Sequence, residues 1–429
     1  MSFRKVKSGP GSCAPLVLQT HRLVMAAVLA GLCALAQANT TAYPADGLLL
    51  AQNDISLMPG GPVETESVPA PDIAAQPQDQ IPGARASGAV RIGLLLPLRS
   101  ESLRTAAAMV RDGFLAAYEK SRDPGVSLTV VETGDAAQDV LDAYTGMLPD
   151  VDIMVGPLSR SGAAAIAKRG AIDKPTIALT PADAVGDNGG AMPQLLLMGL
   201  SLEDDARQAA DWAASDQPGE AALVVSTATA WQRRAARAFQ AAWQRRGLRA
   251  ELFELSAAGG NLSASALAQL QERLRGSRPG LVFAALDAAQ ARQLRESIGA
   301  DLRMYGTSQL NPFTSQAWAA VDARNDMNGV RFIDLPWLLR PDSAASAGYA
   351  RPAAGAGPPR SADMERLYAL GIDAYQVARG VAAQRGVFDV DGVTGRLKVS
   401  IGAGPARFER SASPAEYQDG IAAPLPGTP

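Results

Sequence analysis

The sequence predicts an α/β protein of two doubly wound lobes with parallel sheets. Three observations lead there. Apolar runs alternate with amphipathic stretches from Val90 to about residue 306, the runs are apolar throughout, as strands covered on both faces of a sheet are, and the alternation falls into two successive sets. At roughly 150 residues per domain, 429 residues hold two such cores.

The first set opens with "VRIGLLLPL", a fully apolar strand, after which Leu103, Ala107, Val110, Phe114 and Tyr118 fall on one face of a helix. It continues through "VSLTVVE", a helix over 137–148, "VDIMV", a helix over 161–170, "PTIAL" and "QLLLMG". The second set begins at Ser201, whose spacing from Asp204 is that of a capping box before a helix reaching about Ala214. "AALVVS", a helix over 230–246, "AELFEL", a helix over 263–275, "GLVFAAL", a helix over 288–298 and "LRMYG" follow. Parallel neighbours need crossover helices of this length, so each set builds its own sheet. Beyond them, "NGVRFIDLPWLL" reads as a strand ending at Pro336-Trp337, 341–362 as a Pro/Ala/Gly/Ser loop, 363–385 as one long amphipathic helix, and "GRLKVSI" with "PARFER" as a hairpin.

One helix and one hairpin bury too little to stand alone, so they complete the two lobes and the chain crosses between them more than once, leaving a cleft. The expected division is 89–199 plus 340–388 for the first lobe and 200–339 plus 389–410 for the second, with 411–429 a flexible, Pro-rich tail. Gly113 and Gly371 interrupt helices at a cost of about 1 kcal/mol each relative to alanine, which a close backbone approach offsets. Both are read as packing devices.

Upstream, residues 1–38 carry Arg4, Lys5, Lys7 and Arg22 with no acid, then "LVMAAVLAGLCAL", then Ala36-Gln37-Ala38. That is a signal peptide with its cleavage site, and the apolar run is shorter than the ~20 residues of a membrane span. The alternative is lipidation of Cys33, but Leu32 stands where a small residue belongs, and cleavage after Ala38 is preferred. Residues 39–88 hold seven prolines and no periodic apolar pattern, a disordered tether with a reach of about 40 Å.

Both cysteines (Cys13, Cys33) and the single histidine (His21) lie in the leader. The chain after residue 38 therefore excludes disulfides, a Cys nucleophile, a Ser-His-Asp triad and Cys/His zinc. It carries 36 basic against 43 acidic residues, with the bases dispersed, which argues against nucleic acid. No P-loop, dinucleotide fingerprint, nucleophile elbow or S-x-x-K motif is present, so neither a cofactor nor an enzymatic activity is expected. "NDMNG" at 325–329 lacks the ligands of a calcium loop and reads as an Asn-Gly turn; Asp204/Asp205 read as ordinary acids of a helix first turn, Asp389/Asp391 as turn residues.

Taken together, "RIGLLLPL", "AAAMVRDGFLAAY", "VDIMVGPL", "GLSLEDDARQAA", "NGVRFIDLPWLL" and "RLYALGIDAY" resemble the blocks of the LppC/LpoA-type penicillin-binding protein activators, over about residues 90–400. The first three are shared with type I periplasmic binding proteins; "DLPWLL" and "RLYALGIDAY" point to the activator branch. The resemblance implies a Venus-flytrap-like, type I periplasmic binding protein-like fold and a non-enzymatic periplasmic or outer-membrane-associated role. The implied partner is a class A penicillin-binding protein, a bifunctional peptidoglycan synthase. The best-known members are lipid-anchored and the longer ones carry an N-terminal helical-repeat domain, where this chain has its tether.

The alternative is a periplasmic receptor for an amino-acid-like or other small polar ligand. Ligands of open α/β sheets bind outside the carboxyl ends of the strands. Ser159, Ser161 and Thr180 would then serve from the first lobe, Thr307 and Ser308 from the second.

Overall fold

The computed structural model describes residues 89–182, 192–312, 325–351, 361–383, 385–402 and 404–425, all within one compact unit. The leader and tether lie outside them.

The first lobe is a five-stranded parallel sheet. Its elements in chain order are β1 (Val90–Leu96), α1 (Arg104–Ser121), β2 (Val126–Glu132), α2 (Ala137–Met147), β3 (Ile153–Val155), α3 (Arg160–Lys168), β4 (Thr176–Ala178) and β5 (Leu195–Leu197), with strand order β2-β1-β3-β4-β5. Ile92, Leu94 and Leu96 of β1 face the core shared with α1, and Leu95 faces the layer of Val140, Tyr144 and Ile166 on the other side, so both faces are covered.

The second lobe follows with α4 (Leu202–Asp216), β6 (Ala222–Ser226), α5 (Ala230–Arg245), β7 (Ala250–Glu254), a short ribbon of β8 (Ala257–Ala258) and β9 (Asn261–Leu262), α6 (Ala264–Gly276), β10 (Leu281–Ala284), α7 (Ala288–Ile298), β11 (Arg303–Gly306) and β12 (Arg331–Asp334). Helix starts match the capping chemistry: Ser201 Oγ accepts from Asp204 N, Ser263 Oγ from Ala266 N and Asp287 Oδ1 from Gln290 N. After β12 come α8 (Pro336–Leu339), α9 (Ala362–Ala382), β13 (Val387–Asp391), β14 (Arg396–Ser400), β15 (Arg407–Ser411), β16 (Ser413–Gln418) and β17 (Ile421–Pro424).

Three expectations change at this end of the chain. Residues 389–410 join the first lobe: β13-β14-β15 is a separate antiparallel sheet, and the alternation of Phe388, Leu397 and Val399 turns its apolar face into the core built around α1 and α9. The expected tail from residue 411 is largely strand, because Ala415, Tyr417 and Ala422 are buried against the second lobe's sheet. That sheet, ordered β17-β16-β12-β11-β10-β6-β7, is consequently mixed, with β16 and β17 antiparallel at one edge. Asp389 and Asp391 lie in β13 rather than in a turn, and 325–327 form one turn of 3₁₀ helix before Gly329 at φ +77°.

The two helix glycines do meet backbone. A Cβ at Gly113 would run into the carbonyl of Tyr368, and one at Gly371 into the carbonyl of Val110 and the amide of Phe114. The α1–α9 crossing is closed by these two reciprocal glycines and by Phe114 packing edge-on to Tyr375 at 5.3 Å.

Candidate functional site

The chain passes between the lobes at three places: between β5 and α4, between β12 and α8, and at Ala412 between β15 and β16. Leu200, Ser201, Leu335 and Arg410, which lie on or beside these passages, line one recess of about 10 Å³ together with Asp205, Ser308 and Arg366. Around it lies a buried ionic network.

Arg366 comes from the second turn of α9, where Ser361 caps the helix and every residue from Ala362 to Tyr375 is buried, so this stretch is covered on all sides rather than amphipathic as the sequence predicts. Its guanidinium is 3% exposed and the Asp334 carboxylate that it grips is 0% exposed. Nε donates to Asp334 Oδ1 at 3.0 Å and Nη2 to Oδ2 at 2.8 Å, the two-point geometry that a guanidinium offers a carboxylate. Nη2 also donates to the carbonyls of Ser308 and Asn311, and Nη1 to Asp363 Oδ1 at 2.7 Å. Asp334 accepts further from Asn311 Nδ2 and Leu335 N, and Asp363 from Gln309 Nε2 at 3.1 Å. Beside this group, Arg410 Nη2 donates to Asp205 Oδ1 at 2.8 Å, and Ser308 Oγ donates to Asp205 Oδ2 at 2.8 Å. Burial pushes the carboxyls of Asp205 and Asp363 above the ordinary range, against the pull of their arginines. Further along α9, burial pushes Asp373 up to about 6, although Val393 N, Thr394 N and Thr394 Oγ1 all donate to it.

Sequence reading placed Asp205 among ordinary first-turn acids, and the structure corrects this: Asp205 faces inward onto Arg410, while Glu203 and Asp204 pair outward with Arg234 and Arg207. Arg366, Asp334, Asp363 and Arg410 were missed. The available signal was that a charged residue interrupts each apolar block, as Asp334 does in "RFIDLPW" and Arg366 and Asp373 do in "RLYALGIDAY".

The five cleft candidates divide. Ser308 enters the network through its hydroxyl, and Thr307, buried beside it, caps the short turn 308–310. Ser159 is buried as the N-cap of α3, accepting from Gly162 N. Ser161 is exposed, its hydroxyl donating to the carbonyl of Asp135. Thr180 is buried, and its Oγ1 has no hydrogen-bond partner among the described residues; it borders a second recess, of about 40 Å³, with Leu103, Leu158, Leu367 and Leu370. Both recesses are far below the 300–1,000 Å³ of usual ligand sites. Among the described residues no cluster of acids could hold a metal, and no helix is long and apolar enough to cross a membrane.

Two α/β lobes joined by three passages, with the carboxyl ends of the core strands turned to the junction, define the type I periplasmic binding protein-like class. Within it the family is settled by sequence: the family described as "LppC putative lipoprotein" matches residues 85–420, and the chain belongs to it. The "Penicillin-binding protein activator LpoA" of Haemophilus influenzae (strain ATCC 51907 / DSM 11121 / KW20 / Rd) is 26% identical over 350 residues, 78% of this chain and 55% of that one. The chain spans between 20% and 55% of the length of the curated relatives it matches. Among solved structures, a protein of Chromobacterium violaceum ATCC 12472 described as a "putative branched-chain amino acid ABC transporter" is 34% identical, with TM-score 0.61 over 76% of this chain and 99% of that one. The C-domain of LpoA from Haemophilus influenzae, described as a regulator of PBP1A, shares the fold at TM-score 0.60 and 23% identity, over 78% of this chain and 99% of that one.

Proposed function

We propose that the protein is a non-catalytic regulator that binds a class A penicillin-binding protein in the periplasm and activates its synthesis of peptidoglycan. The observation that carries this reading is membership of the LppC family across nearly all of the two-lobed region, with curated relatives named as activators of penicillin-binding proteins. The junction supports it: where a receptor of this class would admit a solute between its lobes, Thr307 and Ser308 are buried and Ser308 is bonded to Asp205. The protein would act from the outer membrane if Cys33 is acylated, and as a free periplasmic protein if the leader is cut after Ala38. The test is binding to a purified class A synthase by biolayer interferometry. A dissociation constant in the micromolar range or below is expected, and no binding at tens of micromolar overturns the reading.

A second reading, a solute receptor, has its own observation in the unpartnered Thr180 hydroxyl beside a recess of the first lobe lined by Arg160 and several leucines. It requires that a small polar ligand raise the melting temperature. A screen of amino acids and muropeptides separates the two, since the regulator reading predicts no shift with any of them.

A further inference from the structure

The network at the passages joins one lobe to the other. Both arginines belong to the first lobe: Arg366 lies on α9, which packs on α1, and Arg410 lies on β15, whose sheet closes the same core. Apart from Asp363 on α9 itself, the groups they grip belong to the second: Asp334 ends β12, Asp205 opens α4, and Ser308 and Asn311 follow β11. Gln309 reaches back from the second lobe to Asp363 of the first. Three carboxylates thus share two guanidinium ions. Arg410 bonds Asp205 and also attracts the Asp373 carboxyl through its charge, while Arg366 gives two bonds to Asp334, which holds four donors in all, and one to Asp363. Asp363 is the surplus acid. A net charge this deeply buried costs far more than binding a proton. Asp205 is bonded at both carboxylate oxygens, whereas both donors to Asp363 reach Oδ1, so Asp363 is the carboxyl to take the proton.

We infer that this network is a lock that fixes the angle between the lobes, and that it is complete only when Asp363 carries a proton in place of a third cation. The inference goes beyond the proposed function and holds whichever partner the surface meets. Of the charges nearby, Glu365 pairs with Arg351, Glu203 with Arg234 and Asp204 with Arg207, while Asp373 accepts from the β13–β14 turn and is drawn to Arg410. Burial holds the Asp363 carboxyl above its ordinary range, in the direction the charge count requires, and it raises Asp205 as well, against the pull of Arg410. An acid whose folded pKa is raised stabilises fully below its unfolded value near 4 and loses that contribution as pH rises through the folded value. The lock therefore loosens as pH rises.

The test uses the full chain with Cys13→Ser and Cys33→Ser, and spin labels on Glu119→Cys in the first lobe and Arg275→Cys in the second, both exposed positions. One narrow distance between labels is expected, broadening in Arg410→Met and, to a lesser degree, in the shape-preserving Asp205→Asn. If Arg410→Met fails to fold, Asp205→Asn decides, and an unchanged narrow distance there overturns the lock. Asp363→Asn mimics the protonated acid. It is expected to keep the narrow distance and to melt at or above the parent temperature, with the difference growing from pH 5 to pH 8. A fall of about 5 °C or more in Asp363→Asn at pH 5 means that Asp363 is ionised there, and overturns the proton.

Discussion

The α1–α9 crossing and the passages between the lobes are both buried and both indispensable to the arrangement, yet they are built from opposite materials. The first is a backbone contact between two helices, made possible by Gly113 and Gly371 and lined by apolar side chains. The second is a set of charges held by hydrogen bonds around Arg366 and Asp334. The crossing is fixed by close packing that leaves no room for a methyl group at either glycine, whereas an arginine seated on a buried carboxylate is fixed by hydrogen-bond geometry and is expensive to half-remove. The lobe interior is thus held by shape, and the relation between lobes by charge.

The sharpest break of that comparison is Arg366→Met. It leaves Asp334 buried without its cation, and a loss of about 3–5 kcal/mol in urea-unfolding free energy at pH 7 is expected. Gly371→Val forces the two helices apart at the other region and is expected to cost about 3 kcal/mol.

How much of this was legible follows the same division. The strands and helices of the first two sets were readable because apolar periodicity reports directly on burial, and the two glycines because a helix tolerates them only for a reason. The passages were not. Asp205 looked like any acid in a helix first turn, since its partner Arg410 is 205 residues away and a one-dimensional pattern cannot show which face of the turn is covered. The same limit misassigned 389–410: a hairpin's alternation shows that one face is buried, not which lobe buries it. The cleft candidates were chosen by hydroxyl chemistry at strand ends, which Ser159 uses to cap a helix and Ser308 to complete the network.

Smaller effects sharpen the picture. Asp373, pushed up to about 6 from an unfolded value near 4, stabilises fully below pH 4 and loses that contribution as pH rises through 6. Unfolding free energies measured between pH 4 and pH 8 are expected to fall by about 2–3 kcal/mol on this account, and Asp373→Asn to remove that slope. Ser161→Ala, at an exposed hydroxyl outside both regions, is expected to change stability by less than about 0.5 kcal/mol and leave partner binding intact. A larger loss of binding would move the functional surface onto the first lobe's strand-end turns.

The proposed function is tested most directly by the rate at which a purified class A synthase polymerises and cross-links its lipid-linked disaccharide-peptide substrate, with and without an equimolar amount of this protein. The account predicts a faster rate with the protein present and no product from the protein alone. An unchanged rate at concentrations that saturate any complex would contradict it.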